Sequence, residues 1–100
     1  MESDIILYNP YLKLSINFTN MDREEIKNRV KKVTAKVLEI DESEILDNSN
    51  FSFDLGASSM QSILLVSGFQ EEFNIEMDEQ KSLEIQTISE AADFISTYVS

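Results

Sequence analysis

Serine hydroxyls and carboxylates are the groups in this chain with most chemical potential, because cysteine and histidine are both absent. That removes a thiolate nucleophile, a sulfur metal site and the commonest general base and metal ligand. The 19 acids are dispersed, as on a solvated face, and do not form an isolated hydrolytic pair. Asp41–Glu44 lacks the alternating Asp pattern and the Gly of a calcium loop. Gly56 and Gly68 are the only glycines, so there is no Gly-rich phosphate cradle. No catalytic constellation and no metal site are expected. What remains is the run Asp54-Leu55-Gly56-Ala57-Ser58-Ser59. Gly56 can take a positive φ and turn the chain sharply, and Ser58 or Ser59 then stands at the start of a helix. For a lone serine in that place, the ordinary role is an N-cap.

Helices must position that run. With 100 residues, one domain with one modest core is expected. Asp22 with Glu25 reads as a capping-box variant opening a first helix that runs to about Leu38. Its apolar stripe is Ile26, Val30, Val33, Val37 and Ile40. A long connection follows, 39–58, longer than connections in compact domains usually are. Ile40, Ile45, Leu46, Phe51, Phe53 and Leu55 are expected to anchor it over the core, with a short helical turn at Ser43–Leu46. A second helix covers Ser59–Phe73. It carries apolar residues on more than one face (Met60, Ile63, Leu64, Val66, Phe69 and Phe73), so one side should face solvent or a partner. Asn74 ends it. A short third helix is expected over Asp78–Leu83. Thr87 with Glu90 forms a capping box for a fourth, with the stripe Ile88, Ala91, Ala92, Ile95 and Val99.

Residues 1–20 differ from this pattern. Leu12, Leu14, Ile16 and Phe18 alternate with polar residues at period two, and Pro10 interrupts any helix. A flexible extension is expected there, with 21–100 as the folded domain. Packing on the body, strand addition to a partner, or a natural start at Met21 are the other readings.

Net charge is −11 and unevenly placed. Six bases lie between Arg23 and Lys36, whereas Glu39 to the end carries fourteen acids and one base, Lys81. Such a field repels nucleic acid and anionic membrane and steers basic protein partners. No run approaches the roughly 20 apolar residues of a membrane span. Glu2 and Asp4 stand where a secretory signal would be basic, so a cytoplasmic location is expected.

The run Asp54-Leu55-Gly56-Ala57-Ser58-Ser59-Met60 resembles the Asp-Leu-Gly-Ala-Asp-Ser-Leu signature of acyl carrier proteins. Val30-Lys31-Lys32-Val33, Phe51, Glu71-Glu72-Phe73 and Ala91-Ala92-Asp93-Phe94-Ile95 resemble that family at the same spacing, over about 22–98. The resemblance implies an all-α fold: a four-helix bundle of three longer helices and one short, with a long loop between helices 1 and 2. It also implies a carrier and not an enzyme. Ser59 would receive phosphopantetheine from coenzyme A through a phosphopantetheinyl transferase, and acyl groups would ride on the arm as thioesters. The arm brings its own thiol, so the lack of cysteine is no obstacle. A phosphodiester at a helix start also meets free N–H groups and the positive end of the dipole.

Two departures follow from the same resemblance. Ser58 stands where the family has Asp, which removes a charge beside the attachment point and is expected to slow a generic transferase. The stretch Met60-Gln61-Ser62-Ile63-Leu64-Leu65-Val66-Ser67 carries no charge, and Leu64 falls where the family commonly has Glu. Met60, Ile63, Leu64, Ser67, Glu71 and Glu72 are the candidate contacts to partners and acyl chain, with core packing the equal alternative for Met60 and Ile63. Asp54, Leu55, Gly56 and Ser58 support the motif. Expected partners are the transferase and acyl-transferring and condensing enzymes with basic docking patches, acting on a monomer. The pathway is fatty-acid, polyketide or related lipid synthesis, more a specialised than a housekeeping carrier. A peptidyl or aminoacyl carrier and an unmodified acidic helical adaptor are the other readings.

Overall fold

The computed structural model describes residues 21–99; the expectation for 1–20 lies outside them. Among the described residues four α-helices follow in order: α1 Arg23–Leu38, α2 Ser59–Phe73, α3 Glu79–Ser82 and α4 Ile88–Val99. A single 3-10 turn, Glu42–Glu44, interrupts the connection after α1. Among the described residues there is no strand, only an isolated antiparallel bridge between Asn50 and Thr87. The fold is all-α, as the sequence pattern indicates.

Local chemistry sets the ends of the helices. Asp22 caps α1 by accepting from the Glu24 N–H. The expected reciprocal box with Glu25 does not form, because the Glu25 carboxylate turns instead to Arg29, 3.6 Å away. Glu39 and Asn74 end α1 and α2 in the left-handed conformation, at φ 58° and 56°. Asn tolerates that region better than most residues, which explains why Asn74 stops α2. Thr87 caps α4 by accepting from the Glu90 N–H at 3.2 Å. The Glu90 carboxylate reaches one residue further back than a standard box and accepts from the Gln86 N–H.

α1 lies against both α2 and α4. It contributes Ile26, Val30, Thr34 and Leu38, a strict four-residue row meeting α2's Leu65, Phe69 and Phe73 and α4's Ile88, Ala91, Ala92 and Ile95. The predicted stripe is therefore rotated: Val33 and Val37 flank the core half-buried, while Thr34 is wholly buried. Thr34 is tolerated inside because its hydroxyl donates to the Val30 carbonyl at 2.7 Å, which satisfies the buried donor. Val33 has a specific neighbour. A Cβ at Gly68 would stand 2.9 Å from Val33 Cγ1, so α2 approaches α1 closely because residue 68 has no side chain. Arg29 bolts the far end: its Nε donates to Glu72 Oε2 at 2.8 Å and Nη2 to the Glu72 carbonyl at 3.0 Å. The guanidinium also lies 4.8 Å from the Phe73 ring centroid.

The long connection is ordered by bonds and by part of its apolar content. Ile45, Phe51 and Ala57 are buried, and Leu55 packs partly buried against the core. Leu46 and Phe53 are not anchors: they are 62% and 91% exposed. Polar bonds take over at those positions. Asn50 Oδ1 accepts from the Ser52 and Phe53 N–H groups, and the turn they close leaves the Phe53 ring outside. The connection is also tied to α4. The Phe51 N–H donates to the Gln86 carbonyl, Ile88 N–H to the Ser49 carbonyl, and Ser89 N–H and hydroxyl to the Asp47 carbonyl, at 2.9–3.2 Å.

Candidate functional site

Phe51 fixes where α2 begins. Its ring is buried, 6.2 Å from that of Phe69, and its carbonyl accepts from the Ala57 N–H at 2.8 Å. Between these anchors the chain makes a compact turn. Asp54 Oδ2 accepts from the Asn50 N–H at 2.8 Å and the Asp54 N–H donates back to the Asn50 carbonyl at 2.9 Å. Asp54 is thus a loop-folding residue. Gly56 takes φ 75°, a region L side chains rarely adopt, and redirects the chain into α2.

The adjacent serines divide the work. Ser58 is the N-cap, with extended backbone at φ −78° and ψ 173°. Its hydroxyl accepts from the Gln61 N–H at 3.2 Å, while the Gln61 carboxamide accepts from the Ser58 N–H at 2.9 Å, a complete capping box. Ser59 is the first helical residue and exposed. Among the described residues its hydroxyl makes no hydrogen bond, and the backbone N–H groups of Ser59 and Met60 have no acceptor. The cap role therefore falls to Ser58, which leaves the Ser59 oxygen accessible beside two unused amide donors. That arrangement fits a phosphodiester on Ser59: the first N–H groups of a helix and its positive dipole end favour an anion.

The surface beyond Ser59 is apolar. Met60, Ile63 and Leu64 are 69%, 59% and 50% exposed, so none of the three is core. Ser67 and Glu71 are also exposed. Glu72 is turned toward α1 and held by Arg29, so it lies apart from that face.

Two clefts open beside α2. One holds about 730 Å³ and is lined by Ser59, Ser62, Ile63, Val66, Glu76 and Glu79 among others. The other, of about 340 Å³, reaches the core residues Leu65, Phe69 and Met77 between the loop, α2 and the α3 region. Ser62, Val66, Met77 and Leu83 border both, which makes them neighbours along one path leading from Ser59. The sequence reading missed Phe53, Glu76, Glu79 and Leu83 here. Position beside the Asp54 motif was the only available signal for Phe53.

Electrostatics at the loop hold it to α1. Asp47 receives Lys31 Nζ at 2.7 Å and Lys27 Nζ at 3.0 Å. These hydrogen bonds, Lys31's first, hold the Asp47 carboxyl below its ordinary range, and the bond to Asp47 chiefly raises Lys27. Asp41, capping the 3-10 turn, is lowered by the Ser43 N–H and hydroxyl. Among the described residues there is no cluster of metal-ligating side chains, and no helix is long and apolar enough to cross a membrane.

In a comparison with known protein families, residues 28–95 match the model described as a phosphopantetheine attachment site.

Proposed function

The chain belongs to the phosphopantetheine-attachment family and is a carrier whose cofactor is covalent phosphopantetheine; from that premise we propose that Ser59 anchors the arm and that the cargo is acyl. The arm, when bound, supplies a terminal thiol for thioester formation. The chain's own residues do the rest. Gly56 and the Asn50–Asp54 turn bring α2's first residue to the surface. Ser58 takes the capping duty, which leaves the Ser59 and Met60 N–H groups free to face the charge that a phosphate on Ser59 would bring. The observation that carries the assignment is the exposed Ser59 hydroxyl, without a partner next to a serine that already caps the helix.

The pathway is fatty-acid, polyketide or related lipid synthesis, served by a specialised carrier. Support comes from α2, which presents Met60, Ile63 and Leu64 to solvent and no charge from Ser59 to Gln70. Rim charges chiefly set association rate and partner choice, so an uncharged face selects other partners than an acidic one does. Phosphopantetheinyl transferase and acyl-transferring and condensing enzymes are the partner classes. Asp54, Leu55, Gly56 and Ser58 form the turn and cap at the attachment site; Met60, Ile63, Leu64, Ser67 and Glu71 form the docking face.

The test is intact-mass analysis of the protein co-expressed with a transferase, followed by fragment mapping. The expected result is one added phosphopantetheine on Ser59 and none on Ser59→Ala. An arm on another residue would refute the site. Equal, fast loading by a housekeeping fatty-acid ketosynthase and a pathway-specific enzyme would refute the specialised reading.

A further inference from the structure

The smaller cleft has an apolar floor and a polar wall. Leu65, Phe69 and Met77 form the floor and are buried. Ser62 on α2, Asn50 in the loop and Gln86 before α4 stand around it. Three donors in that wall are idle among the described residues. The Ser62 hydroxyl and the Gln86 carboxamide have no hydrogen-bond partner, and Asn50 uses only its Oδ1, leaving its amide nitrogen free. A saturated chain in this cleft would displace water from the half-buried Ser62 and Asn50 donors and from the side of the exposed Gln86 carboxamide that borders the cleft, returning no bond, whereas an oxygenated chain would replace the lost bonds. A site that offers hydrogen bonds discriminates strongly against the analogue that lacks the matching group.

The approach adds a charge criterion. Glu76 and Glu79 line the larger cleft beside Ser59, and neither is paired with a base among the described residues. Cargo with a free carboxylate would meet like charge there. The cleft is also small, about 340 Å³, which suits a short chain.

We propose that this cleft selects short, uncharged acyl chains bearing a hydroxyl or keto oxygen over saturated chains of equal length, with Ser62 and Gln86 as specificity-determining residues. The proposal rests on attachment at Ser59 and on acyl cargo.

The test loads the holo-protein with octanoyl, β-hydroxyoctanoyl or δ-oxooctanoyl groups, after mass analysis has established the arm. Hydroxylamine cleavage of each loaded protein is compared with that of the same acyl group on free pantetheine, which cancels intrinsic reactivity. At least one oxygenated chain should be protected about fivefold more than octanoyl, the worth of roughly one net hydrogen bond. In the Ser62→Val/Gln86→Leu variant, checked for native helicity, the order should reverse. Amide chemical shifts of the unsubstituted protein give a second measurement: Ser62 and Gln86 should move more with the oxygenated chain. Equal or better protection of octanoyl, no protection of any chain, an unchanged order in the folded variant, or shifts at Ser62 and Gln86 no larger than with octanoyl would each overturn the selectivity. Failure to find the arm at the mass stage would instead overturn the attachment reading beneath it.

Discussion

Replacing Ser58 and Ser59 one at a time should produce opposite phenotypes. Ser58→Ala removes the acceptor of the Gln61 N–H and half of the capping box. Losing such a cap costs about 1 kcal/mol, within a range of about 0.5–2. For a domain of this size, 1 kcal/mol corresponds to a fall in Tm of roughly 4–8 °C. The Ser59 hydroxyl is exposed and makes no hydrogen bond among the described residues, so Ser59→Ala belongs with surface substitutions, within about 0.5 kcal/mol of the parent. The assay pairs thermal unfolding by circular dichroism with intact mass after treatment with transferase and coenzyme A. Ser58→Ala should melt several degrees lower and still take up the arm; Ser59→Ala should melt with the parent and take up none. If Ser59→Ala carries the thermal loss, or if Ser58→Ala alone abolishes the mass increase while folded, the division of labour between the serines is wrong. Ser58→Asp gives an internal control. Asp caps as well as Ser and suits the helix dipole, so it should restore stability lost in the alanine variant.

Three other outcomes follow from the packing and charge. Gly68→Ala gains about 1 kcal/mol of helix propensity but drives a methyl toward Val33 Cγ1, and overpacking costs about 1–3 kcal/mol. It should therefore destabilise the parent and become stabilising in a Val33→Ala background; denaturant melts of the four proteins read the sign change, and a stabilised single variant would contradict the close approach. Asp47→Asn should lower Tm at neutral pH by removing the negative charge that faces both lysines and one of the two oxygens that accept from them. Because the folded carboxyl titrates below the ordinary value of 3.8, its contribution is complete above that pH and disappears as pH falls through the lower folded value. The gap between parent and variant should shrink only in acid, and a constant gap across the melting series to about pH 2 would refute the linkage. Leu64→Glu, at a half-exposed position, should leave helicity intact and slow cognate enzyme docking several-fold. A large loss of helicity would show instead that Leu64 supports the core.

The helices were legible because periodicity and end signals are local. Asp22, Thr87 and Asn74 mark ends that the backbone respects, and Gly56 takes the positive φ its place suggests. Asp78 likewise opens α3 by accepting from the Lys81 N–H. The rotation of α1 was not legible. Val33 and Val37 look more apolar than Thr34, yet the buried row is set by the neighbouring helices, and an internal bond to Val30 removes the penalty on Thr34. Leu46 and Phe53 fail for a related reason. Size and hydrophobicity alone do not separate a residue that anchors a loop from one left outside it, and here the decision belongs to the side chains of Asn50 and Ser49, which accept from the Phe53 and Leu46 N–H groups. For the site, residue types placed Ser59 at a helix start but left the cap open between two serines. Only side-chain geometry, with Gln61 answering Ser58, resolves that choice.

The stitching of the long connection to the start of α4 has a mechanical consequence. It makes one jaw of the cleft a fixed plate: Asn50, Phe51 and Gln86 cannot swing aside without unzipping the bonds at Ser49, Gln86 and Asp47. The opposite jaw is a single short turn, Glu79–Ser82, fastened near its root by Gln70 to the Met77 N–H and by Tyr98 to the Asp78 N–H. Like a bench vise, the cleft has one side held by many bonds and one held by few. A chain entering the cleft would therefore displace that turn at the cost of fewer bonds than the plate, and would leave the Asn50–Gln86 side in place.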